Sequence, residues 1–270
     1  MRLEVPSMSV AFPRMSLFAP VFSHSWFYYI KGMRKMNIFL GEFIGTMVLI
    51  ILGAGVCANV NLKKTFANGG GWIVVALGWG FAVAFGVYIS SFFGSGGHLN
   101  PAVTLAAAVS GNLAWSSVPL YIGSQLLGAI VGAVFVYIFF FPHWEETEDP
   151  GTKLGVFATS PAIKHTPANF LSEMMGTMFL VFGLNAIGLN DFANGLNPLI
   201  VGFFITAIGL SLGGTTGYAI NPARDLGPRI AHAILPIRGK GGSDWGYAWL
   251  PVLAPLTGAV LASLLFQLAF

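Results

Sequence analysis

Charge is scarce in this 270-residue chain: only 9% of residues are Asp, Glu, Lys or Arg, against about 25% in an ordinary soluble domain. So few charges cannot clothe a soluble surface of this size. Cysteine is reduced to one residue, Cys57, which excludes an internal disulfide; in its apolar run it reads as a small buried hydrophobe. There is no His/Cys cluster at metal-ligand spacing, no phosphate-cradling loop and no nucleophile–base set. An enzyme therefore has no support and no cofactor is expected. The formal net charge is only +3, with no basic cluster beyond the first residues, which gives nucleic-acid binding little support.

What the chain has instead is apolar surface and glycine: 55% hydrophobic residues, 35 Gly and 24 Phe. Six stretches, near 37–60, 72–93, 117–141, 168–190, 197–216 and 246–269, are long and apolar enough to cross a hydrocarbon core, which takes about 20 helical residues. Trp144, Trp245, Tyr247 and Trp249 fall near span ends, where interfacial aromatics belong. Arg2, Arg14, Lys31, Arg34 and Lys35 precede the first span and argue for a cytoplasmic N-terminus; an even span number returns the C-terminus to the same side. Residues 1–35, broken by Pro6, Pro13 and Pro20, lack a clean apolar core with a cleavage site and so do not read as a signal peptide. They read as a basic arm, or as an extension upstream of a start at Met33 or Met36.

The chain repeats itself. Glu42-Phe43-Ile44-Gly45-Thr46-Met47 opens the first span and Glu173-Met174-Met175-Gly176-Thr177-Met178 opens the fourth. Asn100-Pro101-Ala102 begins one short apolar segment, 100–110, and Asn221-Pro222-Ala223 begins another, 221–235. Each is half a membrane span in length. Three spans per unit is odd, so the second unit enters the membrane upside down. The expected fold is an all-α polytopic membrane protein with six transmembrane helices and two re-entrant half-helices. Its first repeat covers 36–145, an extramembrane loop 146–167, and its inverted second repeat 168–270.

Asparagine at the cap and proline in the first turn are favoured helix-start chemistry. The glycine-rich stretches before them, 94–99 and 213–220, are irregular backbone, which membranes tolerate only inside protein or along a wet cavity. Inversion brings both starts to the midplane. There Asn100 and Asn221 offer amides, and each helix start carries about half a positive elementary charge. That arrangement passes neutral solutes and opposes cations.

Arg224 is expected to line the lumen as a donor, compensated by water and loop carbonyls. Asp225 is expected to pair or cap locally. Glu42 and Glu173, symmetric in the repeat, read as scaffold acceptors for the re-entrant loops rather than a proton relay. His98 reads as a packed histidine held through one ring nitrogen, its carbonyl facing the lumen.

Taken together, the paired Asn-Pro-Ala boxes, the E-x-x-G-T openings and the run Ser95–Thr104 resemble the major intrinsic proteins, or aquaporins, over residues 37–269. Arg224-Asp225 after the second box, Arg229, and Pro251 followed by Val252 are similar to the glycerol-conducting branch. The resemblance implies a selectivity filter of Trp79, Gly209, Tyr218 and Arg224, with Tyr218 where phenylalanine is usual, making the filter more polar or narrower. It implies lumen carbonyls at Gly96, Gly97, His98, Gly217, Tyr218 and Ala219. Two aromatic faces opposite hydrogen-bonding groups suit a polyol, which has one hydroxyl edge and one CH edge. The resemblance further implies a homotetramer in the plasma membrane. Candidate solutes are glycerol, water, dihydroxyacetone, urea, hydrogen peroxide and protonated lactic acid. A strict water channel would favour histidine at position 209 and a small residue after the arginine. A proton-coupled transporter would want an ionisable midplane group, where this chain has asparagines.

Overall fold

The computed structural model describes residues 34–269; residues 1–33, most of the basic arm, lie outside that range. All regular structure among the described residues is helical. The spans are α1 (Arg34–Asn61), α2 (Gly71–Phe92), α4 (Val118–Phe139), α7 (Thr166–Gly188), α8 (Asn197–Leu212) and α11 (Leu250–Ala269), with half-helices α3 (Pro101–Val109) and α9 (Pro222–Ile234). Three short helices, α5 (His143–Glu146), α6 (Pro150–Phe157) and α10 (Trp245–Ala248), sit in the connections. Among the described residues five helices are long and apolar enough to cross a membrane. The sixth, α8, has 16 residues and at about 1.5 Å per residue reaches about 24 Å. It stops at Leu212, short of the expected 216, because Gly213-Gly214 opens the second re-entrant loop.

The fold distributes its polarity inside out. Phe81, Phe85, Phe135, Phe139, Phe179 and Leu265 are exposed on the outer faces of the spans, whereas Glu42, Thr46, Thr104, Gln125, Glu173 and Asp225 are buried. That is the pattern of a bundle in lipid, where the apolar surroundings replace the hydrophobic core's usual outer water.

Glycines set how closely the helices approach, as small residues do in membrane bundles. A Cβ at Gly128 would strike the Phe43 carbonyl of α1, and one at Gly258 would strike the Met174 carbonyl of α7. Phe43 and Met174 each follow the repeat's glutamate, so α1–α4 and α7–α11 are the same contact made twice. Between the repeats, α2 and α8 cross at Gly80 and Gly202, where a Cβ on Gly202 would lie 2.6 Å from the Gly80 carbonyl oxygen.

The 142–167 connection is more built than a solvated loop. Asp149 caps α6 by accepting from Thr152 N at 2.6 Å and Thr152 Oγ1 at 2.7 Å, which holds its carboxyl below its ordinary range. Trp144, expected at the interface, is buried instead: its Nε1–H donates to the Tyr137 carbonyl at 2.9 Å and its ring stacks on Phe157. The short α5 turns back over the end of α4 and carries Trp144 inward. Trp245 and Trp249 are exposed as expected.

Candidate conduction pore

The two re-entrant loops share one backbone pattern. Gly97 and Leu99 have φ of 65° and 53°, and Tyr218 and Ile220 have 39° and 41°. For non-glycine residues this left-handed region is strained, so something must hold Leu99, Tyr218 and Ile220 there. The buried carboxylates do. Glu42 accepts from Ser95 Oγ, from His98 N at 3.1 Å and from Leu99 N at 2.8 Å. Glu173 accepts from Thr216 Oγ1 at 2.6 Å, Ala219 N at 2.9 Å and Ile220 N at 2.8 Å. The two sets are residue-for-residue equivalents. Gln125 adds a donor on the first side only, bonding Glu42 at 2.7 Å and Thr104 at 2.9 Å.

Each box asparagine then ties the halves together. Asn100 Oδ1 caps α3 by accepting from Ala102 N at 2.8 Å, while its Nδ2 donates to the Ile220 carbonyl at 2.9 Å. Asn221 Oδ1 accepts from Ala223 N at 3.0 Å and Arg224 N at 3.2 Å, and its Nδ2 donates to the Leu99 carbonyl at 2.8 Å. The amide's cap and cross-bond leave one N–H on each asparagine for a solute. The starts of α3 and α9 meet here, so their positive ends share one site.

A cavity of about 920 Å³, counted to its open mouths, runs past this point. Trp79, Arg224, Asn100, Asn221 and residues 96–98 and 218–220 line it. The sequence reading missed most of its apolar wall, which includes Leu49, Val83, Val87, Leu180, Val201 and Ile205 from α1, α2, α7 and α8. These are ordinary span residues whose pore-facing register only the assembled bundle reveals. Among the described residues no group donates to the carbonyls of Gly97, His98, Tyr218 or Ala219, which leaves them for a passing solute.

At one end of the cavity the Arg224 guanidinium lies over the Trp79 ring, its Cζ 3.9 Å from the centroid. That contact corrects the expected compensation of Arg224 by loop carbonyls: no side-chain hydrogen bond or ion pair to Arg224 is present among the described residues, and the indole face is its neighbour. Trp79 is itself fixed, with Nε1–H donating to Cys57 Sγ at 3.3 Å and the Gly53 backbone pressed against its ring. Gly209 stands behind the Tyr218 ring rather than on the cavity wall. A Cβ there would lie 2.7 Å from Tyr218 Cζ and Oη, and its carbonyl accepts from Trp72 Nε1 at 2.8 Å. The Tyr218 hydroxyl is buried with no partner, covered by Gly209, so it does not make the lumen more polar. Gly217 is also off the cavity wall; it packs against Thr159.

Asp225 and Arg229 form a fully buried ion pair at 2.8 Å. Asp225 also accepts from Thr159 N and Oγ1, both at 2.7 Å. Arg229 donates to the carbonyls of Thr159 at 2.8 Å and Ser243 at 2.8 Å. The pair anchors two connecting loops to α9 behind the filter. His98 packs on Tyr121, ring centroids 4.7 Å apart, with Nδ1 3.2 Å from Thr104 Oγ1.

The family description "Major intrinsic protein" matches residues 30–266. The chain belongs to the major intrinsic protein family. The glycerol uptake facilitator protein of Bacillus subtilis is 60% identical over 235 residues, 87% of this chain and 85% of the relative. A probable glycerol uptake facilitator protein of Thermotoga maritima is 57% identical over 235 residues, covering 87% of this chain and all (100%) of that one. Among solved structures, the aquaglyceroporin from Plasmodium falciparum superposes with a TM-score of 0.74 at 31% identity, over 86% of this chain and 96% of that one. As a major intrinsic protein the chain is a multi-pass membrane protein.

Proposed function

We propose that this protein is a passive channel for glycerol and other small uncharged solutes, with water, that excludes ions and protons. The observation that carries this reading is the mixed lining of the cavity. Trp79, the Tyr218 ring and aliphatic side chains supply its apolar lining; Arg224, Asn100, Asn221 and free backbone carbonyls supply its polar lining. A polyol can lay its CH edge on the first and its hydroxyls on the second, exchanging water hydrogen bonds for protein ones of similar worth. Gly209 supports the reading, because it leaves the Tyr218 ring room to lie back from the lumen. The relatives named as glycerol uptake facilitators support the same solute.

Exclusion follows from charge. A cation at the asparagines would meet two positive helix ends and, further along, the guanidinium of Arg224. Trp79, Tyr218 and Arg224 act as the filter, with Gly209 making its space, and Glu42, Glu173 and Asp225 hold its frame. Dihydroxyacetone, urea, hydrogen peroxide and protonated lactic acid are further solutes of the right size and neutrality. The protein works as a homotetramer in the plasma membrane, with both termini cytoplasmic.

Reconstitution into liposomes tests this. Stopped-flow light scattering follows shrinkage and re-swelling under a glycerol gradient and under a sucrose gradient. Fast re-swelling in glycerol but not in sucrose supports the proposal. Fast water flow with no glycerol re-swelling overturns the solute and leaves a water channel.

A further inference from the structure

Alongside the last turns of α3 lies a second recess, whose lining combines Ser110, Asn112 and Asn185 with the apolar Val103, Val181 and Leu184. Val103 and Leu184 also line the main cavity, so the recess opens beside the conduction path at one mouth. Gln267 Nε2 donates to the Val109 carbonyl at 3.1 Å, which places this mouth on the side of the C-terminal end of α11. We propose that this recess is a second polyol subsite, where a solute leaving the apolar corridor regains hydrogen bonds before it reaches bulk water. The inference rests on the glycerol reading given above.

The chemistry is that of the filter made with different groups. The serine hydroxyl and two carboxamides together offer donors and acceptors, and none of the three side chains has a hydrogen-bond partner among the described residues. Asn185 and Ser110 are half-buried and Asn112 is exposed, so the amides stand at the water boundary with the apolar side chains behind them. That is an amphipathic slot. It recognises a molecule with hydroxyls along one edge, whereas water gains nothing from the apolar face.

The other half-helix is finished differently. There the end of α9 is closed by Lys240, whose Nζ donates to the carbonyls of His232 at 2.6 Å, Ala233 at 2.7 Å and Leu235 at 2.6 Å. The two half-helices therefore end differently, α9 capped by an ammonium and α3 followed by carboxamides without partners among the described residues.

Two measurements test the subsite. In liposomes, the double variant Asn112→Leu/Asn185→Leu is expected to lower glycerol permeability about fivefold, the worth of one net hydrogen bond, with water permeability unchanged. Unchanged glycerol permeability in the variant overturns the subsite while wild-type glycerol flux still upholds the channel; absence of wild-type glycerol flux overturns both. Should water fall equally, the second measurement decides. In Ser110→Cys the native Cys57 stays buried, and modification of the new thiol by a methanethiosulfonate reagent reports occupancy. Glycerol is expected to slow the reaction about twofold or more relative to equiosmolar sucrose; equal rates overturn the proposal.

Discussion

The Arg224 guanidinium and the Trp79 indole form a stacked pair, 3.9 Å from cation carbon to ring centroid. The arginine is only as well placed as the ring beneath it, and the ring is held from behind by Cys57. The only cysteine of the chain thus sets the rim of the filter without touching the lumen.

Cys57→Val leaves a buried indole N–H without an acceptor, a loss of about 1–3 kcal/mol. Cys57→Ser keeps an acceptor and is expected to recover most of it. Thermal unfolding in detergent of the three proteins checks the order: Val lowest, Ser close to the parent. Equal stability of all three would show that the thiol is only filling space.

At Gly209 even one methyl group meets the Tyr218 ring at 2.7 Å. Gly209→Val is expected to push the ring toward the lumen at an overpacking cost of about 1–3 kcal/mol. If that cost falls on the passing solute, glycerol permeability drops about tenfold while water flow persists. Stopped-flow ratios read this directly, and an unchanged ratio would remove Gly209 from the filter.

Tyr218→Phe deletes a hydroxyl that is buried and unpartnered. The expected outcome is a protein more stable by about 1 kcal/mol with the same glycerol-to-water ratio. A changed ratio would mean the hydroxyl reaches the solute after all.

Replacing Asn221 by Asp removes the Nδ2 donor that holds the Leu99 carbonyl and sets a negative charge where two positive helix ends meet. Liposomes carrying this variant are expected to leak protons, read by an enclosed pH dye, whereas wild-type liposomes hold a gradient. A tight variant would locate the ion barrier elsewhere, at Arg224.

Arg229→Met strands the buried Asp225 carboxylate. Breaking one side of such a pair costs about 3–5 kcal/mol, so the variant is expected to unfold at clearly lower temperature or denaturant. The double variant Asp225→Asn/Arg229→Met should recover part of the loss.

Local signals were legible in the sequence: a cap asparagine followed by proline, a glutamate motif given twice, glycines where loops begin. From these came the half-helices, the inversion and the placement of Asn100, Asn221 and Arg224. What was not legible depends on residues far apart in the chain. Nothing around Trp72 announces that it bonds Gly209, and nothing around Gln125 announces that it bridges Glu42 and Thr104. The burial of Trp144 follows from a turn after α4 that no periodicity marks. Even the phenol of Tyr218 could be judged only once Gly209 was seen to cover it.

The crossed bonds from Asn100 to Ile220 and from Asn221 to Leu99 bear on biogenesis. When the ribosome has delivered only the first repeat, Asn100 has no Ile220 to reach and Leu99 keeps an unanswered carbonyl at membrane depth. The first half must therefore wait, its loop unsettled, until the second has been inserted. Two half-chains made separately in one cell would be expected to find each other, and neither would be expected to survive quality control alone.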